Sequence, residues 1–394
     1  MKKGFRKWIG GIAALCLLTA AMAVPSYAAV VKKSASAPTY GPTAGQETAA
    51  QSGTAAVGSV GVVTGQGDQT GTAAGVIVET AGVAEAEEPS GGAMNADTMI
   101  GTTVTTAAEQ TAAGPTTAGS SYFAGSELML IANRAQSQME SFLITTKNGS
   151  LIMIDGGTAD DEAHLKEILL SKGGHVSAWL ITHPHSDHVG ALTRLLAEDP
   201  AGITIDNIYY NYAPIEWYFA NEEYRAQMVV DNLAALSKLS PSVNHPNIKK
   251  GEVIQVDDVR ITVMNEPYLF QTNAINNSSV AFRVEMDGKR VLFLGDMGVP
   301  AGNSFLNEYK DDLGALRADI VQMAHHGEQG VDRKVYEAIR PTACLWCCPE
   351  WLWNNDNGGG MNSGKWKTLE VRGWMRQIGA KAHFVMKDGD QVIR

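Results

Sequence analysis

Along the chain the spacing of apolar residues changes character several times, and each change marks an element. "LMLIA", "SFLITT" and "SLIMIDGG" are short apolar runs with "KNGS" between the last two. They predict strands, the turn residues a hairpin. "DEAHLKEILLSKGG" repeats its apolar residues at helical spacing and stops at paired glycines, as a helix does. "SAWLITH" predicts a strand and "DHVGALTRLLAE" a helix. After an aromatic-rich stretch from Tyr209 to Tyr224, a helix over "YRAQMVVDNLAALSKLS" stops at Pro241. "EVIQVDDVRITVMNEP" and "SSVAFRVEMDGKRVLFLGD" predict two more strand pairs, the second turning at "MDGK". Then follow a helix over "NSFLNEYKDDLGALR", strand "DIVQMAHHG", helix "DRKVYEAIR", strand "TACLWCC", helix "KTLEVRGWMRQIG" and a closing hairpin "KAHFVMKDGDQVI". Hairpins alternating with helices fit sheets covered by helices, in one domain over residues 121–394.

The first 120 residues have no such pattern. Lys2, Lys3, Arg6 and Lys7 precede an apolar stretch from Ile9 to Val24, and small residues follow at Ser26 and Ala28. This order predicts a signal peptide over 1–28, cleaved after Ala28. The apolar stretch is about 16 residues, short of the ~20 that a stable membrane span needs. Residues 29–120 are Ala, Gly, Thr, Ser and Val with scattered Pro, and Tyr40 is their one aromatic residue. Such a composition buries too little apolar surface to offset the entropy of ordering, so a disordered linker is expected. With no further span in the sequence, the mature protein is expected to be secreted or cell-wall-associated.

Charge and cysteine narrow the function classes. The formal net charge is −11, and residues 121–394 hold 25 of the 31 basic and 34 of the 42 acidic residues, a net −9. An acidic domain has no broad electrostatic attraction for nucleic acid. Cys344, Cys347 and Cys348 crowd into "CLWCCPEW" without a second ligand pair at zinc-finger spacing, and read as buried strand cysteines.

The chemistry concentrates in "THPHSDH", which spends three of the nine histidines. His183 and His185 are two apart on an extended segment, so both imidazoles can reach one metal ion. Asp187 and His188 open the following helix and can face a neighbouring ion, the carboxylate favoured by the helix's positive end. Imidazole with carboxylate suits zinc, with manganese or iron as alternatives. Asp296 at the end of "RVLFLGD" and the pair His325–His326 at the end of "DIVQMAHHG" offer further donors. Asp155 reads as a carboxylate behind the ligands, and Asn276 and Ser279 as hydrogen-bonding neighbours. His245 falls in an apparent loop, and His164 and His175 read as exposed. Trp351, Trp353 and Trp366, beside the glycine-rich "NNDNGGGMNSG", either line a pocket or pack over the core.

These motifs resemble the metallo-β-lactamase superfamily, whose H-x-H-x-D-H is matched by His183, His185, Asp187 and His188. "LIMIDGG" ending in Asp155, "NNSS", "LFLGD" and "HHG" are similar to the ComEC-type competence metallo-hydrolases and phosphorylcholine esterases. The resemblance covers residue 125 to the end and implies a four-layer αββα sandwich with the site at one edge of two sheets. It implies one metal held by His183, His185 and Asp296, and another by Asp187, His188, Asp296 and His326 or His325. His326 fits the usual last ligand better, leaving His325 as a substrate contact or proton donor. Asp187 or Asp296 would orient the nucleophile. The implied function is hydrolysis of a small-molecule or cell-envelope phosphoester, with two metal ions activating the water. The alternatives are a β-lactamase or other ester hydrolase of the same fold, and a cell-wall binding protein with a structural metal site.

Overall fold

The computed structural model describes residues 121–198 and 201–394, so the expected signal peptide and linker lie outside the described residues. The chain opens with an antiparallel meander of β1 (Glu127–Leu130), β2 (Ser141–Thr145) and β3 (Leu151–Asp155). β3 and nearly all of β2 are buried, which is why both read as unbroken apolar runs rather than alternating ones. Helix α1 (Glu162–Ser171) returns the chain to β4 (His175–Leu180), parallel to β3. Helix α2 (Ser186–Ala197) leads to the short strands β5 (Thr204–Ile205) and β6 (Ile208–Tyr210), both parallel to β4. Helix α3 (Ile215–Leu236) precedes the edge strand β7 (Asn244–Pro246).

The second sheet begins with β8 (Val253–Val256), β9 (Val259–Val263), β10 (Phe282–Met286) and β11 (Lys289–Phe293), all antiparallel. A single turn, α4 (Ala274–Asn277), interrupts the path from β9 to β10. Helix α5 (Val299–Glu308) leads to β12 (Ile320–Gln322), and α6 (Arg333–Ile339) to β13 (Ala343–Trp346). Helices α7 (Glu350–Trp353) and α8 (Thr368–Ile378) lead to β14 (Ala382–Val385), and β11 to β14 run parallel.

The last strand departs from the expected closing hairpin. β15 (Gln391–Ile393) pairs with β1 of the first sheet, not with β14. Asp390 ties the crossing, its Oδ1 accepting Ala132 N at 2.8 Å. Helix α3 also starts earlier than expected, inside the aromatic stretch, because it is interrupted at Glu222 (φ −152°, ψ 49°) and resumes.

One apolar core fills the space between the sheets, where Phe142 and Phe293 meet edge-on at 5.0 Å between centroids. The same core extends under α1 and α2 through Leu165, Leu169, Leu192 and Leu195. A second core lies beneath α5, α6 and α8 and includes Phe305, Tyr336 and Met375. The result is the four-layer αββα sandwich. Because β3 runs parallel to β4, and β11 to β12, their carboxyl ends emerge at shared sheet edges, and the loops leaving them carry the polar residues.

Candidate metal centre

Beyond β4 the chain bends at Thr182 and runs through His183 and Pro184 to His185, which precedes α2 in an extended conformation with φ −74° and ψ 151°. Asp187 and His188 then fall in the first turn of the helix. From the other sheet come Asp296, after β11, and His325–His326, after β12. Gly295 permits the close approach: its φ is +56°, and a Cβ there would lie 2.8 Å from Thr182 Cβ. Gly327, with φ +80°, likewise leaves no space for a Cβ, which would strike the Trp346 ring at 2.5 Å. Asp155, His325 and His326 all adopt positive φ, a conformation that non-glycine residues hold only where surrounding structure imposes it.

Three groups of donor atoms result, each with its atoms within 4.8 Å of one another: two that share Asp296, namely His183, His185 and Asp296, and Asp187, His188, Asp296 and His326, and behind them a third of Glu140, Asp155 and His188. Asp296 Oδ2 lies 3.3 Å from His188 Nε2, 3.3 Å from His326 Nε2 and 3.8 Å from His183 Nε2. Asp187 Oδ2 is 3.2 Å from His326 Nε2, and His183 Nε2 is 3.2 Å from His185 Nδ1. Donors bound at zinc distances around a tetrahedral ion are about 3.3–3.5 Å apart. His188 Nε2, His326 Nε2 and Asp296 Oδ1 are buried without a hydrogen-bond partner, a state that calls for a cause such as a bound ion. The residues therefore fit divalent metal.

Electrostatics agree with the spacing. Burial pushes His183 well below 6.5, and the neighbouring His188 pushes the same way. Burial also opposes charge on His188 and His326, yet Asp296, with Asp155 at one ring and Asp187 at the other, holds both well above 6.5. Asp187 and Asp296 are held below 3.8 by His326 and His188, against the upward pull of burial. Positive charge is thus favoured where the two carboxylates converge.

The carboxylate of Asp155 sits behind these groups. It accepts from Thr182 N at 2.8 Å, Thr182 Oγ1 at 2.7 Å and His188 Nδ1 at 2.7 Å. Ser279 Oγ accepts Asp296 N at 3.1 Å and donates to Asn276 O at 2.8 Å. His325 lies outside these groups: its Nε2 is 2.8 Å from Glu328 Oε1, 3.0 Å from Asn276 Nδ2 and 3.9 Å from Asp296 Oδ2.

Several expectations need correction. His245 is not in a loop but on β7, bonded through Nε2 to Asn207 Oδ1 at 2.9 Å and stacked on Tyr209. His164 is not exposed: its side chain is 13% accessible and paired with Asp390 at 3.1 Å. His175 is exposed and pairs with Asp206. Of the three free, buried cysteines only Cys344 lies within a strand. Trp351 stacks at a tilt on Trp366, and Trp353 meets Trp346 edge-on, over the second core, while Trp351 also lines a cavity with Arg134, Gln136 and Asn354.

Four residues that the sequence did not single out surround the groups. Thr182 fixes Asp155, and Glu140 Oε2 accepts from Gln322 Nε2 at 2.7 Å across the two sheets. Glu222 approaches His185 from α3. Only Thr182 had a signal, its place beside the histidine motif; the others are joined to the site by long-range contacts.

The comparisons bear on the same region. A family model described as the metallo-beta-lactamase superfamily matches residues 138–341. Among solved structures the chain is similar to the metallo-β-lactamase-fold protein YhfI from Bacillus subtilis, at 12% identity. That match covers 68% of this chain and 99% of the other, with a TM-score of 0.42. It is also similar to the metallo-β-lactamase GOB-18 from Elizabethkingia meningoseptica, at 20% identity over 47% of this chain and 69% of the other, TM-score 0.32. No curated protein matches the chain in sequence.

Proposed function

The chain belongs to the metallo-β-lactamase superfamily, and on that footing we propose that it is an exported, dinuclear metal-dependent hydrolase of phosphoesters or phosphodiesters. The observation that carries the reading is Asp296, whose carboxylate is shared by two groups of donors. His183, His185 and Asp296 would hold one ion, and Asp187, His188, Asp296 and His326 the other. The donor set suits zinc, with manganese or iron as alternatives. When bound, such a pair supplies an acidified water and polarises the bond under attack.

The chain's own residues divide the remaining work. Thr182 Oγ1, 3.1 Å from His183 Nδ1, and Asp155, on His188 Nδ1, keep both rings turned with Nε2 inward. Asp187 is partly exposed beside His326, and in this reading it orients the attacking water. His325 is held by Glu328 with its side chain 17% accessible, and in this reading it hands a proton to the leaving oxygen. The first group offers three protein donors, so an ion held there would keep a position for a substrate oxygen.

Two considerations favour phosphoesters. The combined motifs resemble the ComEC-type and phosphorylcholine-esterase-like branch, and the one histidine between the first motif and Asp296, His245, belongs to none of the donor groups. The net −9 of residues 121–394 disfavours nucleic acid as substrate. The amino-terminal sequence supports a secreted or cell-wall-associated enzyme acting on a small-molecule or envelope phosphoester.

The test combines metal analysis with a phosphoester and phosphodiester screen on wild type and on His183→Ala with Asp187→Ala. Two equivalents of metal per wild-type chain are expected, with hydrolysis that the double variant lacks. Full activity in the double variant refutes the mechanism. Nitrocefin turnover without phosphoester turnover moves the assignment to β-lactams.

A further inference from the structure

Three of the four imidazoles in the donor groups have their outward nitrogen tied. His183 Nδ1 meets Thr182 Oγ1 at 3.1 Å, His188 Nδ1 meets Asp155 Oδ2 at 2.7 Å, and His326 Nδ1 meets Cys347 O at 3.1 Å. Each therefore presents Nε2 inward. His185 is turned the other way, with Nδ1 facing His183 Nε2 at 3.2 Å. Its Nε2 points toward α3, where Arg225 Nη1 stands at 3.3 Å and Glu222 Oε1 at 3.7 Å, and Arg225 Nη1 also donates to Glu222 Oε1 at 3.3 Å.

These two neighbours suit opposite tautomers. Arginine only donates, so Arg225 matches a bare Nε2. An ion on Nδ1 of a neutral ring requires the proton on Nε2, where Arg225 would face another donor. The matching partner is then Glu222, whose carboxylate is the only one within 4 Å of His185 among the described residues. We propose that Glu222 is the positioning residue for His185: it accepts the Nε2 proton when Nδ1 holds a metal ion, and Arg225 gives way.

The surroundings of Glu222 support this role. Helix α3 is interrupted at this residue, which is 5% exposed in the middle of an otherwise amphipathic helix. Its other oxygen, Oε2, accepts Ile275 N at 3.0 Å. One carboxylate thus stands between His185 and the α4 turn that carries Asn276. Partners of this kind orient metal-ligating rings, and their loss weakens metal binding about 10–100-fold.

The inference rests on the metal reading above, and the experiment separates the two. Full-length wild type, Glu222→Gln and Arg225→Met are titrated with zinc against a chelator. Ring 15N shifts of His185 are recorded in the loaded proteins, and melting is followed without metal. Glutamine has one carbonyl oxygen for two donors, Ile275 N–H and His185 Nε2–H. Glu222→Gln is therefore expected to bind one of the two ions about 10–100-fold more weakly while melting near wild type. Arg225→Met, which removes the competitor but also a partner of Glu222 Oε1, is expected to lose clearly less affinity than Glu222→Gln.

Unchanged affinity and ring shifts in Glu222→Gln overturn the proposal alone, as does an equal loss of affinity in Arg225→Met. Should Glu222→Gln not fold, the loaded wild type decides: a His185 without a proton on Nε2 overturns the assignment. A wild type that binds no metal overturns this and the hydrolase reading together.

Discussion

Replacing Asp155 with asparagine separates charge from shape behind the metal centre. The carboxylate accepts three hydrogen bonds at 2.7–2.8 Å and has no exposed surface. In Asp155→Asn, Oδ1 can still accept Thr182 N, and the Thr182 hydroxyl can turn to accept from the new amide. His188 Nδ1 has no such freedom. Facing an N–H, it must become the acceptor, and the ring proton moves to Nε2, which points at Asp296 Oδ2 from 3.3 Å. The nitrogen needed for ligation is then blocked by its own proton. A tenfold to hundredfold loss of affinity is expected for the ion among Asp187, His188, Asp296 and His326, about 1.4–2.7 kcal/mol. The other ion should lose less, because Thr182 remains on His183. Chelator competition with metal counting per chain measures both. Two ions held with wild-type affinity by Asp155→Asn refute the reasoning, since His188 would then not depend on the carboxylate for its tautomer.

Three further outcomes are expected. Phe293→Ala removes a fully buried ring from the inter-sheet contact with Phe142 and should cost about 3–5 kcal/mol in denaturant unfolding; a loss under ~1 kcal/mol would contradict a closed sandwich. Burial pulls the Glu127 carboxyl up, but Lys172 at 2.9 Å and Arg394 at 2.8 Å hold it below 4.5. Its contribution is therefore present above the unfolded value and lost as pH falls through the folded one. Glu127→Gln should flatten that acid limb by under about 1 kcal/mol, and an unchanged limb in acid melts would dismiss the pair. If the protein is exported as proposed, terminal sequencing of the material recovered outside the cell should begin at Ala29, and a chain still starting at Met1 would refute cleavage.

Much of the architecture was legible because it is local. Strands β2, β3 and β4 and helices α1, α2 and α8 declare themselves through apolar period and glycine stops, which depend on residues within a few positions of each other. The histidine motif is equally local, since an extended step and a helix start suffice to bring four donors together. Glu222 was not legible. In sequence it is one acidic residue among several in "FANEEYR", and its meaning comes from an interruption that sets it against His185 and Ile275, 37 and 53 positions away. Glu140 and Gln322, 182 positions apart, are similarly silent until the two sheets meet.

The sequence by itself determined the alternation of strands and helices, the acidic balance and the donor types available for metal, because these follow from covalent neighbours and composition. Only the tertiary structure decided that β15 returns to the first sheet, that His326 rather than His325 joins the Asp187 group, and that Asp296 is shared with the His183 group. Each of those depends on which distant backbone ends lie side by side. That is set by how two twisted sheets pack, and by the buried hydrogen bonds that the packing must satisfy.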